Sequence, residues 1–421
     1  MFENWKYAKL DKKTNRINEI NSNVFSSRGS LESLYTFCVS PNGEPYNFLI
    51  SGGNYAQLRE QPLMPFVEHM VGRFPIILLH NDNREMERMI QSVWKQSGVD
   101  ELACPLWIAS NQTKIMEPCY GMTAAQIVKI VRNIARKLGY MPTPQLEKVV
   151  KAHLEILQIL EIPASLTGLL YLCSFSDTGE FYNNIMELPC PPNQARMIWN
   201  NLGVDTDPAN NQLDLFRSVM DNLAEEFKLS SWSADNSVMM CNILEAIKSG
   251  GIFSLSVNTM NAGLVLSYLA DELKLATGYP FILLIDGISL RDEDLFDFIC
   301  TENRWCRFGL ISDNVHEMVL GDLDKLGRLA NIMDTFIFFQ HSNGRTADAL
   351  SALLGTSDQM TYHRSHGMRD GWFGVEKGGK RIDIQYNTEN RYRVMPENFQ
   401  QLADMQAIIY TAVDDQITYY N

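Results

Sequence analysis

Short, uninterrupted apolar runs recur along the 421-residue chain, and each is bounded by turn residues. The strongest is the segment PFILLIDG, residues 280–287, in which five apolar residues lead to Asp286 at a turn. Runs of this length are typical of strands that are buried on both faces of a sheet. The same pattern occurs at residues 46–50, 74–80, 105–110, 250–258, 306–312 and 335–341.

Amphipathic helical patterns separate these apolar runs. Residues 84–96, REMERMIQSVWKQ, place Met86, Met89, Ile90 and Val93 on one face of a helix. Buried strands that alternate with helices predict an α/β fold with a mostly parallel sheet. Further helices of this kind are predicted at residues 63–73, 262–275 and 345–354.

The middle of the chain has a different pattern, because residues 121–248 carry helical periodicity and no convincing strand. Thr123 can cap the first of these helices, and Gly139 stands where it would end. Further helices are predicted at residues 145–160, 192–202 and 214–227. We therefore predict an inserted all-α domain. The predicted division is an arm at residues 1–40, an α/β domain at 41–120 and 245–421, and the all-α domain at 121–244.

Composition narrows the class of protein. The net charge is −14, so the average surface does not offer the excess of Lys and Arg that binds nucleic acid. No apolar run approaches the roughly 18–20 residues of a membrane span, and we expect a cytoplasmic protein without direct membrane insertion. The eight cysteines include no CxxC pair, which indicates reduced, buried thiols.

Gly52-Gly53 follows the first predicted strand, where nucleotide-binding proteins place a phosphate loop. In the motif G-x-x-x-x-G-K-[ST], backbone N–H groups and the lysine bind phosphates, and the hydroxyl residue binds Mg²⁺. Counted from Gly52, the second glycine falls on Gln57, the lysine on Leu58 and the hydroxyl residue on Arg59. None of the three chemical positions is kept.

The order of parts resembles the ATPase domain of type IV secretion and conjugation coupling proteins, which are RecA-like motors of the FtsK/HerA group. The segment GGNYAQLREQPLMP resembles the family's phosphate loop and the proline that follows it. The segment EAIKSGGIFSLSVN, residues 245–258, resembles the family phrase that follows its inserted all-α domain. The resemblance covers residues 45–415 and implies a RecA-like P-loop NTPase-type fold.

The same resemblance implies a degenerate catalytic site. In the family, an Asp-Glu pair ends the Walker B strand, because Asp supports Mg²⁺ and Glu polarises the attacking water. Here Asp286 remains, but Gly287 replaces the glutamate, and Ser312 or Asn314 stands where the family has a sensor glutamine. We expect Gly52, Gly53, Gln57, Leu58, Arg59, Asp286, Gly287 and Ser312 to mark this degenerate nucleotide site.

Two points stay open within this interpretation. Arg59 either fills the emptied site with its own positive charge or is exposed on the first helical turn. An arginine finger supplied by Arg304 or Arg307 would have no nucleotide to act on.

These losses predict a catalytically inactive relative of coupling ATPases that acts as a scaffold, adaptor or regulatory subunit. No cofactor is expected, and enzymatic activity is not the favoured interpretation. The expected partners are proteins: an active ATPase paralogue, a relaxase or a secretion substrate. One alternative is a divergent ATPase of DNA transfer that uses ATP and Mg²⁺ at a rebuilt site. The other is a nucleic-acid-binding module of mobile-element or defence machinery.

Two basic segments are candidate surfaces for a protein partner or nucleic acid. Helix 123–138 carries Lys129, Arg132, Arg136 and Lys137 and no acid. Residues 371–386 alternate around Gly378-Gly379, which predicts a β-hairpin at the sheet edge. The nearby pair His363 and His366 has no third ligand at a usual spacing, so no metal site is predicted. The second basic segment, residues 362–393, has seven Arg or Lys against four acids, and its candidates are Arg364, Arg369, Trp372, Lys380 and Arg381.

Overall fold

The computed structural model describes most of the chain. For residues 31–32, 114–115, 239–240, 358–367 and 381–390 it describes the backbone alone. The described ranges are residues 31–53, 56–109, 114–175, 177–204, 211–227, 239–257, 263–301, 304–367 and 381–420.

Nine strands form one sheet in the order β13-β12-β9-β1-β8-β7-β2-β6-β3. The seven strands from β9 to β3 are mutually parallel, and β12 and β13 add an antiparallel edge. The strands of this sheet are β1 (Phe48–Ser51), β2 (Ile76–His80), β3 (Leu106–Ile108), β6 (Ile252–Ser256), β7 (Phe281–Asp286), β8 (Cys306–Ser312), β9 (Thr335–Phe338), β12 (Ala407–Thr411) and β13 (Gln416–Tyr420).

Helices connect the parallel strands and cover both faces of the sheet. A 3₁₀ helix, Leu31–Cys38, precedes β1. The α-helices of the α/β part are α1 (Ala56–Met70), α2 (Arg84–Ser97), α9 (Ile243–Lys248), α10 (Gly263–Lys274), α11 (Glu293–Cys300), α12 (Val315–Met318), α13 (Leu323–Ala330), α14 (Gly344–Leu354) and α15 (Pro396–Gln400). The structure confirms the predicted α/β class, with a mostly parallel sheet that helices cover on both faces.

Among the residues that the structure describes between β4 (Lys114–Met116) and β5 (Met239–Cys241), six helices form the insertion. Thr123 caps the first of them in a capping box with Gln126, as its sequence indicates. The six helices are α3 (Ala124–Lys137), α4 (Pro144–Ile159), α5 (Leu166–Cys173), α6 (Thr178–Met186), α7 (Pro192–Leu202) and α8 (Gln212–Phe227).

Several local predictions were wrong, and each has a tertiary cause. β5 lies inside the stretch that was predicted to lack strands, because its three residues pair in parallel with β4 and carry little local pattern of their own. Helix α1 begins at Ala56 rather than at residue 63. It tolerates Pro62 inside it because Leu58 and Phe66 are buried on the same helix.

The predicted hairpin also differs from the structure. Strands β10 (Thr356–Gly367) and β11 (Arg381–Tyr392) pair with each other in antiparallel register and form a sheet of their own. Each of them pairs with the other along one edge, and β13 takes the edge of the main sheet instead. The predicted turn at Gly378-Gly379 lies outside the described residues.

The core has two layers, one on each face of the sheet. Leu283 of β7 belongs to a continuous apolar cluster that also includes Ile130 of α3 and Phe216 of α8. The next residue, Leu284, faces the other cluster together with Phe66 of α1. The inserted helices therefore share one continuous core with a face of the sheet.

Across the described ranges, no helix combines the length and the apolar character that crossing a membrane requires.

A substitution at Gly309 reports how tightly the centre of the sheet is packed. A Cβ atom there would lie 2.5 Å from Phe48 Cζ and 2.6 Å from Leu284 Cδ2. We expect Gly309→Ala to lower the free energy of unfolding by about 1–3 kcal/mol through overpacking. The matched control is Gly327→Ala on α13, where nothing lies within 4 Å. It should stabilise the protein by about 0.5–1 kcal/mol through helix propensity. Urea titrations of both variants measure the difference, and equal effects would contradict tight packing at Gly309.

Candidate functional site at the carboxyl edge of the sheet

The Gly52-Gly53 turn lies between the carboxyl ends of β8 and β9, and its backbone donors are already used. Gly52 N–H donates to Ser312 O at 3.1 Å, and Gly53 N–H donates to Gln340 O at 2.9 Å. Both glycines have left-handed φ angles, 89° and 90°. Neither N–H is therefore directed at a site where phosphate could lie, in contrast to a working phosphate loop.

Arg59 folds back over this turn. Its Nη1 donates to Gly52 O at 3.1 Å and to Gly53 O at 3.3 Å, and the residue is half-buried. Leu58 is buried, and its Cβ lies 3.6 Å from the position of a Cβ on Gly53, whereas Gln57 is exposed. The guanidinium thus binds the loop itself, in agreement with the hypothesis that Arg59 supplies the local positive charge.

Asp286 ends β7 and is 6% exposed. Its Oδ2 accepts a hydrogen bond from Asn83 Nδ2 at 2.7 Å, and the same amide donates to Glu60 Oε1 at 3.1 Å. Burial raises the pKa of Asp286, while the Asn83 hydrogen bond and the charge of Arg59 oppose that shift. Burial likewise raises the pKa of Glu60. One amide therefore joins two carboxyl groups that both resist ionisation.

Asn83 is also the N-cap of α2, because its Oδ1 accepts a hydrogen bond from Met86 N at 3.1 Å. The sequence analysis did not single out Asn83 or Glu60. The only local signal was that Asn83 precedes the predicted start of α2, a position where asparagine is a common cap.

Two buried histidines border the site and do not add positive charge. His80 Nδ1 accepts from Asn83 N at 2.9 Å, so its Nε2 carries the proton that is donated to Glu87 Oε1 at 3.0 Å. Burial lowers the pKa of His80. His341 is 4% exposed, burial lowers its pKa to about 4, and its Nε2 has no hydrogen-bond partner among the described residues.

Gly287, Ser312 and Asn314 make hydrogen bonds within the chain. Gly287 adopts a left-handed φ of 65°, and its N–H donates to Ile311 O at 2.9 Å. Ser312 is buried, and its Oγ accepts from Asn314 N at 3.1 Å. Asn314 caps α12 and accepts a hydrogen bond from Thr346 Oγ1 at 2.9 Å.

The structure brings all eight predicted nucleotide-site residues to one edge of the sheet. The charged groups at this edge are unfavourable for a phosphate, because Arg59 is one cation beside the two acids Asp286 and Glu60. The charge of Asp313 also acts on Asp286. Within the described part of the chain, no cluster of three or more His, Cys, Asp or Glu residues could hold a metal ion.

Arg304 and Arg307 lie elsewhere. Arg307 is the second residue of β8 and pairs with Ile282 of β7, whereas Asp286 pairs with Ile311 near the far end of β8. Both arginines are exposed at the amino edge of the sheet, opposite the candidate site.

The basic face of α3 is partly neutralised by acids from other elements. Lys137 Nζ lies 2.7 Å from Asp292 Oδ2 and 2.7 Å from Asp294 Oδ2, and it also donates to Ser267 Oγ. Arg132 lies 3.6 Å from Glu147 Oε2. The two remaining cations of this face, Lys129 and Arg136, are exposed on the surface.

The second basic segment is described only in part. The backbones of Arg364 and Arg381 lie in paired strands, where Arg364 faces Ile384 and Arg381 faces Gly367. The predictions on Arg369, Trp372 and Lys380 fall outside the described residues.

No protein-family model and no curated protein sequence matches the chain. Among solved structures, the bacterial conjugative coupling protein TrwBdeltaN70, unbound monoclinic form, is 12% identical, with 93% of this chain and 91% of that chain covered and a TM-score of 0.49. The plasmid coupling protein TrwB in complex with ADP and Mg²⁺ is 12% identical, with 91% and 87% covered and a TM-score of 0.47. VirB4 of Thermoanaerobacter pseudethanolicus is 11% identical, with 73% and 80% covered and a TM-score of 0.39. These similarities concern the arrangement of helices and strands alone.

Asn83→Ala tests the shared amide. The change removes the cap of α2 and leaves the buried Asp286 carboxylate without its donor, at a combined cost of about 2–4 kcal/mol near pH 7.5. The folded-state pKa values of both carboxyl groups are raised, so their contribution to stability is present at low pH and is lost as pH rises through those values. Without the amide, the stability that is lost as the pH rises is larger. The free energy of unfolding of Asn83→Ala should therefore be reduced less near pH 4.5 than near pH 7.5.

The matched control is Asn343→Ala, which removes the cap of α14 at an exposed position. It should cost about 1 kcal/mol at both pH values. Denaturant titration measures the free energy of unfolding of both variants at the two pH values. A destabilisation of Asn83→Ala that does not depend on pH would disprove the role of the shared amide.

Proposed function

We propose that the chain is a non-hydrolysing relative of conjugation coupling ATPases that acts as a scaffold, adaptor or regulatory subunit. The observation that carries this proposal is the internal closure of the Gly52-Gly53 turn. Its two N–H groups donate to neighbouring strands, and its two carbonyl groups accept from Arg59. A turn bonded in this way has no backbone donors left to bind phosphate at these two residues.

The Walker B position supports the same proposal. Asp286 is held by Asn83, and Gly287 has no carboxylate with which to orient water. Glu60 adds a second acidic group beside the first. ATP brings several negative charges, so it would meet an edge where one cation already contacts the chain's own carbonyl groups.

A protein without nucleotide turnover acts through its surfaces, and we place the partner-binding surface on the inserted helices. Lys129 and Arg136 of α3 are exposed there, whereas Arg132 and Lys137 are paired within the chain. An active ATPase paralogue, a relaxase or a secretion substrate would each suit this role. The sequence resemblance to coupling proteins supports this choice of partner class.

The first test is calorimetric titration of the full-length protein with ATP and a slowly hydrolysed analogue, with and without Mg²⁺. We expect no binding at millimolar nucleotide. We also expect none in Arg59→Gln, because removing the guanidinium does not free the N–H groups of Gly52 and Gly53. Micromolar, Mg²⁺-dependent binding that Asp286→Ala abolishes would overturn the proposal and establish a divergent ATPase instead.

The partner surface needs its own experiment. Deleting residues 121–244 would cut the continuous core, so point variants of the full-length chain are the better probe. We expect the double variant Lys129→Glu, Arg136→Glu to lose a protein partner that co-purifies from the native host, while the exposed control Lys148→Glu keeps it. Retention of the partner by the double variant, or loss of salt-sensitive nucleic-acid binding in its place, would refute a protein-binding role for α3.

A further inference from the structure

A cavity of about 390 Å³ lies at the amino edge of the sheet, at the opposite end of the strands from the Gly52-Gly53 turn. It opens between the amino ends of β1, β8 and β9 and the last residues of α11. Its size is near the lower end of the range of small-molecule pockets, about 300–1,000 Å³. The lining residues are Asn47, Ile299, Thr301, Arg304, Arg307, Phe308, Asn331 and Ile332.

The charge of this cavity is carried by two arginines. Arg304 and Arg307 are the charged members of the lining, and both are exposed. Within the described ranges, neither guanidinium has a carboxylate at ion-pair distance, whereas Arg328 lies 2.8 Å from Asp297. In a chain with a net charge of −14, a concave site whose lining, within the described ranges, has two cations and no acid favours an anionic ligand.

The walls of the cavity are fixed before any ligand arrives. Asn47 Oδ1 accepts from Phe308 N at 3.0 Å, and Asn47 Nδ2 donates to Ile332 O at 2.9 Å. The nearby carboxylate of Asp334 accepts from Asn47 N at 2.8 Å. One side chain therefore ties β8 to the segment before β9, and the cavity does not depend on a mobile loop at this wall.

The remaining lining defines the body of the ligand. Ile299 and Phe308 are buried, and Ile332 is half-buried, so the floor is apolar. Guanidinium groups pair with carboxylate or phosphate oxygens in a fork. Two of them match a phosphate monoester, which carries about −1.5 to −2 charges at pH 7, better than a carboxylate.

We propose that this cavity binds an organic phosphate monoester. The phosphate lies between Arg304 and Arg307, and the apolar body lies against Ile299, Phe308 and Ile332. This site is separate from the carboxyl edge, so it does not depend on the proposed loss of nucleotide hydrolysis.

Phenyl phosphate is a suitable probe, titrated into the full-length protein by calorimetry. We expect it to bind at least about tenfold more tightly than benzoate, which is a monoanion, and than inorganic phosphate, which has no apolar body. Its affinity should fall as the pH is lowered from about 7.5 to about 5.5, because the monoester then becomes a monoanion.

Variants locate the site. Arg304→Gln and Arg307→Gln should each weaken phenyl phosphate binding about tenfold or more, because each removes a charge-assisted hydrogen bond. Both residues are exposed, so thermal unfolding should show that the variants remain folded. The matched control Arg291→Gln removes an exposed arginine before the start of α11, at the other end of that helix, and should leave the affinity unchanged.

Three results would overturn the proposal: no binding of phenyl phosphate at millimolar concentration, equal binding of benzoate, or binding that both cavity variants retain. ATP also carries phosphate, so the two proposals need separating. Heat from ATP that persists in Asp286→Ala and disappears in Arg307→Gln would come from this cavity. It would leave the carboxyl edge without nucleotide.

Discussion

The hydrogen bonds that hold Gly52 and Gly53 between β8 and β9 are the constraint on which the candidate site depends. A parallel sheet has its ligand site where strands end and their backbone groups are free. Here β1 continues its pairing past its last residue, because Gly52 and Gly53 donate to the strands on either side. A side chain at residue 52 is excluded as well, since its Cβ would lie 2.7 Å from His341 Nε2. The turn therefore lies in close contact with its neighbours in the sheet.

Once the turn is closed, the charges around it follow a consistent pattern. Arg59 is the cation of this edge, and it contacts carbonyl oxygens of the chain itself. Asp286 and Glu60 share the amide of Asn83, and burial raises the pKa of both carboxyl groups. His341 stays neutral because burial lowers its pKa. Arg59 thus contacts groups of the chain itself, and burial disfavours the charged forms of Asp286, Glu60 and His341.

Part of this arrangement could be predicted from the sequence, and the reason for each limit is physical. The apolar run of β7 and the glycine pair at residues 52–53 are local signals, and the structure places Asp286 and both glycines at the carboxyl edge of the sheet. The contact of Asn83 with Asp286 joins residues 203 positions apart, and it exists only because β2 and β7 are neighbours in the sheet. The ion pairs of the basic face of α3 could not be predicted for the same reason. Asp292 and Asp294, which pair with Lys137, lie more than 150 positions further along the chain.

Strand β8 runs from the cavity at the amino edge of the sheet to the Gly52-Gly53 turn at its carboxyl edge. Arg307 lies at its start, beside a cavity whose two arginines have no carboxylate at ion-pair distance among the described residues, and Ser312 lies at its end, where its carbonyl oxygen accepts from Gly52 N–H. Both neighbours of the strand, β1 and β7, pair with it along their lengths. Gly309 in its middle leaves space that Phe48 and Leu284 fill. A strand paired on both sides and packed at its centre has no room to slide, so the closed turn and the amino-edge cavity are held at a fixed separation.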